Sequence, residues 1–498
     1  MNVNTNVKAV LLQGEPVRSS CRKLGSILLL LVIAALPSWA QTAADPTQGP
    51  MFHQLWGLNN TGQPIGVGTP GTAGSDISAR RAWSYSTGSK ANVVAVLDTG
   101  IAYDHPDLRD NLWSAPEEFT VTIGGMQFTC PRGTHGFNVI EARKILSFTS
   151  ADYSKACNPY DDHLGSHGTK ISGIIGASGK ALTGTVSNGV VGVNWTARIM
   201  AVKVNDANNY GGVRNTMYGI EFVVQVKQFF ATRGGLANVR VINLSSNGHG
   251  CDSSYEVGCM EYYKEIQKAG DNGMLFVASA GNNGIDISMA ASYPASFSAI
   301  FGQTNILAVA STDNKDSLAW DSNYGATVVD LAAPGVNILS TNISGGYQFD
   351  SGTSFAAPHV SGAALLVLSA CDQDTASLRK LILDSVDPKP SLSGKTRTSG
   401  RLNVSRAMNK CFQQVIANAV RSDSHFLSPV PYSLLPDWVL NQADPRFSFV
   451  FEDFNFLGNS GGHTVRVWLA TEKANPSNRY LDFMDPDKGA WTGWKPVP

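Results

Sequence analysis

The strongest constraint on the fold is an alternation that begins near residue 91. Runs rich in β-branched and aliphatic residues at Val93–Leu97, Ile199–Val204, Val239–Leu244, Met274–Ala278 and Ile306–Ala310 are separated by stretches of helical length and period at Asn215–Thr232, Glu261–Asn272, Ser354–Ala370 and Thr375–Ser385. A strand that is apolar at successive positions buries both its faces, and a helix between two such strands supplies the crossover that parallel pairing requires. The pattern predicts an α/β fold: a mostly parallel twisted sheet with helices on both faces. Such sheets carry their chemistry just beyond the carboxyl ends of the strands, so the residues there are the ones to read. Composition agrees with a globular chain, since 43% of the 498 residues are hydrophobic and 15% charged. With 38 Lys+Arg against 39 Asp+Glu there is no basic field for gripping nucleic acid.

The N-terminus reads as an export signal. Ile27–Leu36 is an apolar run preceded by Lys8, Arg18, Arg22 and Lys23 and followed by Pro37-Ser38-Trp39-Ala40. It is far shorter than the roughly 20 residues of a membrane-spanning helix, and the small residues at Ser38 and Ala40 suit cleavage after Ala40. The expected organisation is a signal peptide over 1–40, an N-terminal segment over 41–90, the α/β domain over 91–411 and an extension over 412–498. A secreted protein, extracellular or periplasmic, is expected, without a stable membrane anchor and as a monomer. Of seven cysteines the signal removes Cys21, leaving an even set. Six cysteines allow fifteen connectivities, and spacing does not choose among them; nearest-neighbour pairing, Cys251 with Cys259 and Cys371 with Cys411, is the expectation. No CxxC pair favours the rival zinc reading.

Three segments carry chemistry. The first strand ends in Leu97-Asp98-Thr99-Gly100, a carboxylate at the end of a buried run. Asp98 could cap the next segment, or share a proton with Asp350 of Asp350-Ser351-Gly352 as in an aspartic dyad, but an alternating α/β setting does not suit that dyad. Ser166-His167-Gly168-Thr169 opens a segment of small residues able to pack a helix closely on a sheet. His163 and His167 are four apart, yet the glutamate of a zinc-binding HExxH is missing and Gly165 and Gly168 place His163 in a loop. In Gly352-Thr353-Ser354-Phe355-Ala356 a serine opens a helix. It is either a cap or a nucleophile, because the first-turn amides favour developing negative charge. The G-x-S-x-G elbow is not matched, since Ala356 stands at its last position.

Taken in order, VLDTGI, SHGTKISGIIGA and GTSFAAPHVSG resemble the motifs of the subtilisin family of serine proteases, over about Asp45 to Cys411. The resemblance implies that Ser354 is the nucleophile, His167 the base, Asp98 the group that orients the base, and Asn282 of Ser279-Ala280-Gly281-Asn282 an oxyanion donor with the Ser354 N–H. It implies polypeptide substrates laid against Tyr210 and Gly211 on an outer strand and against Ser246 and Gly248, with Asn283 and Ser292 near the first specificity pocket. An uncharged apolar or aromatic residue is expected before the cleaved bond. No cofactor is expected for catalysis, but a structural calcium is, with Asp107 as a ligand and a partner loop near Thr185–Gly189. Asp98 and His167 lie 69 positions apart, and this long insert holds Cys130 and Cys157, suggesting a disulfide-held loop beside the site. Little chain separates Ala40 from Trp56-Gly57-Leu58-Asn59, so no N-terminal propeptide is expected.

Beyond Cys411 the resemblance stops. The extension is expected to be small and β-rich, because Phe447–Phe456 and Thr464–Ala470 alternate; its Trp438, Trp468, Trp491 and Trp494 suit a small core or a polymer-binding face. Two other functions stay open: a catalytically silent secreted binding protein on the same fold, and an esterase using the same triad.

Overall fold

In the computed structural model of the chain, nine strands form one sheet in the order Asp387–Pro388, Gly400–Arg401, Leu331–Pro334, Ile306–Thr312, Leu275–Ser279, Val239–Leu244, Val93–Asp98, Ile199–Lys203, Gly136–Asn138. Every pairing is parallel except that of the first two. The structure describes residues 45–498 apart from 67, 181, 184–185, 188, 249–257, 303, 423–446, 457–462, 473–478, 486–489, 492–494 and 497–498, with backbone alone at 182–183, 186–187 and from 415 onward. The expected signal peptide lies outside the described residues.

Alternation along each strand divides the interior into two cores. Val94 and Val96 face one side with Ile199, Val241, Leu275 and Leu307; Val93, Ala95 and Leu97 face the other with Met200, Val202, Ile242 and Phe276. The first core is covered by the helices His167–Gly176 and Thr353–Ala370, the second by Val213–Ala231 and Cys259–Asp271. Thr353–Ala370 is long and apolar enough to cross a membrane, yet it lies buried from Thr353 to Leu368 in the core. At about 1.5–3 kcal/mol for each large apolar side chain removed from water, that burial fixes the helix in place. Residues before the first strand belong to the same body: Trp56, Leu58, Ile77 and Trp83 join the first core, and Trp56 Nε1 donates to the Val336 carbonyl at 3.1 Å.

Strand Val93–Asp98 sits between Val239–Leu244 and Ile199–Lys203, although the chain visits neither next. Strand order therefore reverses around it, which opens a crevice at its carboxyl end, where Asp98 lies. The long insert contributes a hairpin, Phe119–Ile123 with Met126–Cys130, and the edge strand Gly136–Asn138. It is closed by Cys130–Cys157, with Cα atoms 5.4 Å apart; Cys371–Cys411 forms as well, at 6.3 Å. Cys259 is disulfide-bonded, and its expected partner Cys251 lies outside the described residues. In the extension, Phe447–Phe456, His463–Glu472, Arg479–Asp485, Ala490–Trp491 and Lys495–Pro496 form an antiparallel sheet, with Phe451 opposite Trp468.

Candidate active site

Asp98 and His167 pair at the reversal point, and Ser354 is tied to Ser245 just beyond the neighbouring strand Val239–Leu244. Asp98 ends its strand and is buried; its Oδ1 accepts from the Thr99 N–H at 2.8 Å and lies 2.7 Å from His167 Nδ1. A carboxylate can only accept, so Nδ1 carries the proton and Nε2 is left with its lone pair outward. His167 is the first residue of its helix and 14% exposed at the side chain, open enough to meet a substrate. Burial works against the imidazolium, but the Asp98 carboxylate outweighs it, with Asp350 and Asp161 adding to the same sign, and holds the ring above its ordinary value.

Gly168 is what lets this helix end reach the strand. A Cβ there would lie 2.2 Å from the Gly100 carbonyl oxygen and 3.0 Å from Asp98 Cβ, so any side chain would push His167 off Asp98. The Gly168 N–H in turn donates to Thr99 Oγ1 at 2.9 Å. Asp161 accepts from the Thr169 N–H and hydroxyl at 3.1 and 2.6 Å, pinning the second turn-end donor of the same helix.

Ser354 stands in the first turn of Thr353–Ala370, with its ring-bearing neighbour Phe355 edge-on to His167 at 5.8 Å between centroids. Its hydroxyl donates to the Ser245 carbonyl at 3.1 Å and does not hydrogen-bond His167 in this structure. Ser245 answers by donating its own Oγ to the Ser354 carbonyl at 2.8 Å. The reason lies in the helix: Pro358, four residues on, has no N–H, so the Ser354 carbonyl lacks its intrahelical donor. Asn243 Nδ2 donates to Ser245 Oγ at 3.1 Å and Ser361 Oγ to Asn243 Oδ1 at 2.8 Å, which fixes Ser245 from behind.

Asn282 closes the site. Its Oδ1 accepts both the Thr353 N–H and the Thr353 hydroxyl, each at 2.8 Å, which settles the amide orientation and leaves Nδ2 to donate elsewhere, on a residue that is exposed. Gly352 makes this contact with Thr353 feasible, since it sits at φ +139°, a conformation side chains resist. His359, in the same motif, is a core residue: burial lowers its pKa to about 4, and its Nδ1 donates to the Phe355 carbonyl at 2.9 Å.

The alternative dyad is excluded by partner choice. Asp350 Oδ2 pairs with Lys170 Nζ at 2.9 Å and Asp98 with His167, so each carboxylate has a cationic partner of its own. His163 lies in a loop, as its glycines indicate, where its Nδ1 accepts from the His167 N–H at 3.3 Å.

The expected substrate contacts fall into two groups. Ser246 and Gly248 follow strand Val239–Leu244, and Gly248 bridges Tyr293 through bonds of 3.0 and 2.8 Å. Asn283 is exposed beside Asn282, its N–H donating to Asn323 Oδ1 at 3.0 Å, whereas Ser292 is fully buried and accepts from Asn247 Nδ2 at 3.1 Å. Tyr210 and Gly211 lie in a turn, not in a strand. Asp206 Oδ1 accepts from the Asn208 and Tyr210 N–H groups, and this Asx turn leaves Tyr210 81% exposed.

Asp107 is buried, and its Oδ2 accepts from the Val190 N–H at 3.0 Å and the Tyr347 hydroxyl at 2.8 Å. Calcium asks for about six to eight oxygens. Among the described residues no group of three or more His, Cys, Asp or Glu side chains could hold a metal, and donors already occupy Asp107. Among the described residues Asp107 is a hydrogen-bonded anchor, and residues 184, 185 and 188 of the expected partner loop lie outside them.

Sequence reasoning missed Ser245, Thr353 and Lys170. Pro358 four residues beyond Ser354 marks a carbonyl in need of a donor, but not which residue supplies it. Lys170 in an otherwise small and apolar helix signals a buried partner of opposite charge.

The family model of the subtilases (peptidase S8) matches residues 89–408, more than half of the chain. A thermophilic serine proteinase of a Bacillus species is 32% identical over 322 residues, covering 65% of this chain and 63% of that protein. Thermitase of Thermoactinomyces vulgaris is 31% identical over 336 residues, covering 67% of this chain and 93% of thermitase. Subtilisin-like protease 1 of Plasmodium falciparum is 28% identical over 334 residues, covering 64% of this chain and 43% of that protein. The chain thus spans less than two thirds of the first and last of these. The crystal structure of a cold-adapted subtilisin-like serine proteinase aligns with a TM-score of 0.45 at 22% identity, over 70% of this chain and 97% of that one.

Proposed function

Because this chain belongs to the subtilase family, we propose that it is a secreted serine endopeptidase acting through Asp98, His167 and Ser354. The observation that carries the reading is the 2.7 Å bond from His167 Nδ1 to Asp98 at the mouth of the crevice, with Ser354 opening the helix whose Phe355 packs edge-on against the His167 ring and Asn282 bonded to Thr353 at the same helix start. Ser354 Oγ leaves the Ser245 carbonyl by rotation about χ1 and turns to His167 Nε2 when substrate enters. Nε2 takes the hydroxyl proton as Oγ attacks the scissile carbonyl, and Asp98 stabilises the imidazolium. The oxyanion is received by Asn282 Nδ2–H and the Ser354 N–H, donors fixed before the charge forms and therefore needing little reorganisation. His167 then delivers its proton to the departing amine, and water, deprotonated by the same ring, hydrolyses the acyl-enzyme.

Substrate chains are read as lying between the Ser246–Gly248 segment and the turn at Tyr210 and Gly211, with the residue before the cleaved bond near Asn283. No charged side chain stands among these, which supports uncharged apolar or aromatic residues at that position. The test is to treat the secreted protein and its Ser354→Ala variant with unfolded casein and a fluorophosphonate probe. Casein cleavage and probe on Ser354 in the wild type alone uphold the reading; hydrolysis of activated esters without casein cleavage would favour an esterase, and neither activity a binding protein.

A further inference from the structure

Lys170 is a lysine where lysine is costly. It lies one turn beyond His167 on the same helix, its side chain is 2% exposed, and the helix around it is built of Gly, Ser, Thr and Ile. An unpaired ammonium in such a place would lose its hydration without compensation, so its partner matters. That partner is Asp350, whose Oδ2 lies 2.9 Å from Nζ while its Oδ1 accepts from the Ser351 N–H at 2.8 Å. Asp350 ends strand Tyr347–Asp350, four residues before Ser354. The Lys170 carbonyl, for its part, accepts from Ser340 Oγ at 2.6 Å, and Ser340 lies on strand Ile338–Thr341, which pairs with Tyr347–Asp350. Both ends of Lys170 thus grip the hairpin that delivers the nucleophile.

Resting on the protease reading of the site, we propose that Lys170 is a positioning residue that ties the helix of the base to the hairpin of the nucleophile and, by neutralising Asp350, sets the protonation of His167. The groups that act on His167 are Asp98 from the first strand, Asp161 from the preceding loop and Asp350 across the site, while His163 accepts from its N–H; nearby stand Lys170 on its own helix and Asp162 with Lys203 of strand Ile199–Lys203. Asp98 is common to any such triad. Asp162 is paired with Lys203 at 2.7 Å, and Asp161 is engaged by the Thr169 donors. Asp350, 42% exposed at its side chain, is the carboxylate whose influence depends on Lys170.

The test is an NMR titration of the His167 ring in the full chain, assigned with His167→Ala, beside the pH profile of kcat/KM. Removing the Asp350 charge with Asp350→Asn lowers the His167 midpoint, and removing the Lys170 charge with Lys170→Met raises it, each by about half a pH unit for partly screened charges. The double variant returns toward wild type, and Lys170→Arg stays close to it. Should Asp350→Asn not fold, because it strands a buried ammonium, Lys170→Met against the double variant reads the Asp350 effect alone. Midpoints that do not move, or that move in the same direction in both single variants, overturn the proposal. The ring titration is read without turnover, so a wild type that hydrolyses nothing sinks the protease reading and leaves this test standing.

Discussion

Ser354 and Ser245 exchange hydrogen bonds: the Ser354 hydroxyl donates to the Ser245 carbonyl at 3.1 Å, and the Ser245 hydroxyl donates to the Ser354 carbonyl at 2.8 Å. Pro358 creates the vacancy that the second bond fills. Ser245→Ala leaves a buried carbonyl without a donor at the residue that reacts. The expected cost is about 1–3 kcal/mol in stability, read by denaturant unfolding, with a fall in kcat/KM and no change in the probe's site of attachment.

Asn282 has two roles that substitution separates. Asn282→Asp keeps the oxygen that accepts from Thr353 but removes the Nδ2 donor, so the melting temperature holds near wild type while kcat falls. The fall expected is about 10²–10³, a magnitude taken over from subtilisin, a relative, with KM little changed. Asn282→Ala loses both, adding about 1 kcal/mol of destabilisation from the lost helix-start bonds. Equal melting temperatures for the two variants would contradict this division.

His167 must be neutral to act as a base, and despite burial its Asp98 partner holds its pKa above the ordinary value. The acid limb of kcat/KM should therefore lie above about pH 6.5, with activity lost as pH falls through it. For stability the sign is opposite: a raised folded value contributes fully below about pH 6.5 and is lost as pH rises through the folded pKa. Asp98→Asn removes the carboxylate, moves the acid limb down and lowers kcat by about 10⁴ through the wrong tautomer.

The Cys130–Cys157 bond spans a sequence separation of 27 residues. In the chain-entropy account such a loop contributes about 3.5 kcal/mol through the unfolded state. The double Cys→Ser variant should melt lower by a corresponding amount. Activity should fall as well, because the insert runs on to Pro159 and Tyr160, whose carbonyls back Gly100 two residues beyond Asp98. A variant as stable as wild type would show that the loop is held by its own core of Phe128, Phe137 and Val139.

Much of this was legible in the residues themselves. Five apolar runs set five strands of the main sheet to within a residue or two, because a strand buried on both faces cannot hide its composition. The short strands Gly136–Asn138 and Leu331–Pro334 are too brief to show a pattern, and an Asx turn holds Tyr210 where the resemblance implies a strand. Asp98, His167 and Ser354 stand at the ends of elements, but it was the resemblance of their motifs, with that of Ser279–Asn282, that named them.

By itself the sequence determined where Asp98, His167 and Ser354 would stand, at a strand end and two helix starts, since those are local matters of backbone sterics and orphan amides; their proposed roles came from the resemblance of the motifs in order. Tertiary structure alone decided their second partners: that Ser245 would answer the carbonyl released by Pro358, that Thr353 would fix the Asn282 amide, and that Lys170 would find Asp350 rather than leave it to Asp98. Those choices depend on which distant segments the strand order brings to one crevice. A buried polar group takes whatever complementary partner lies within about 3 Å once the sheet has closed, and residues 109 or 180 positions apart meet there because the strand order brings them together.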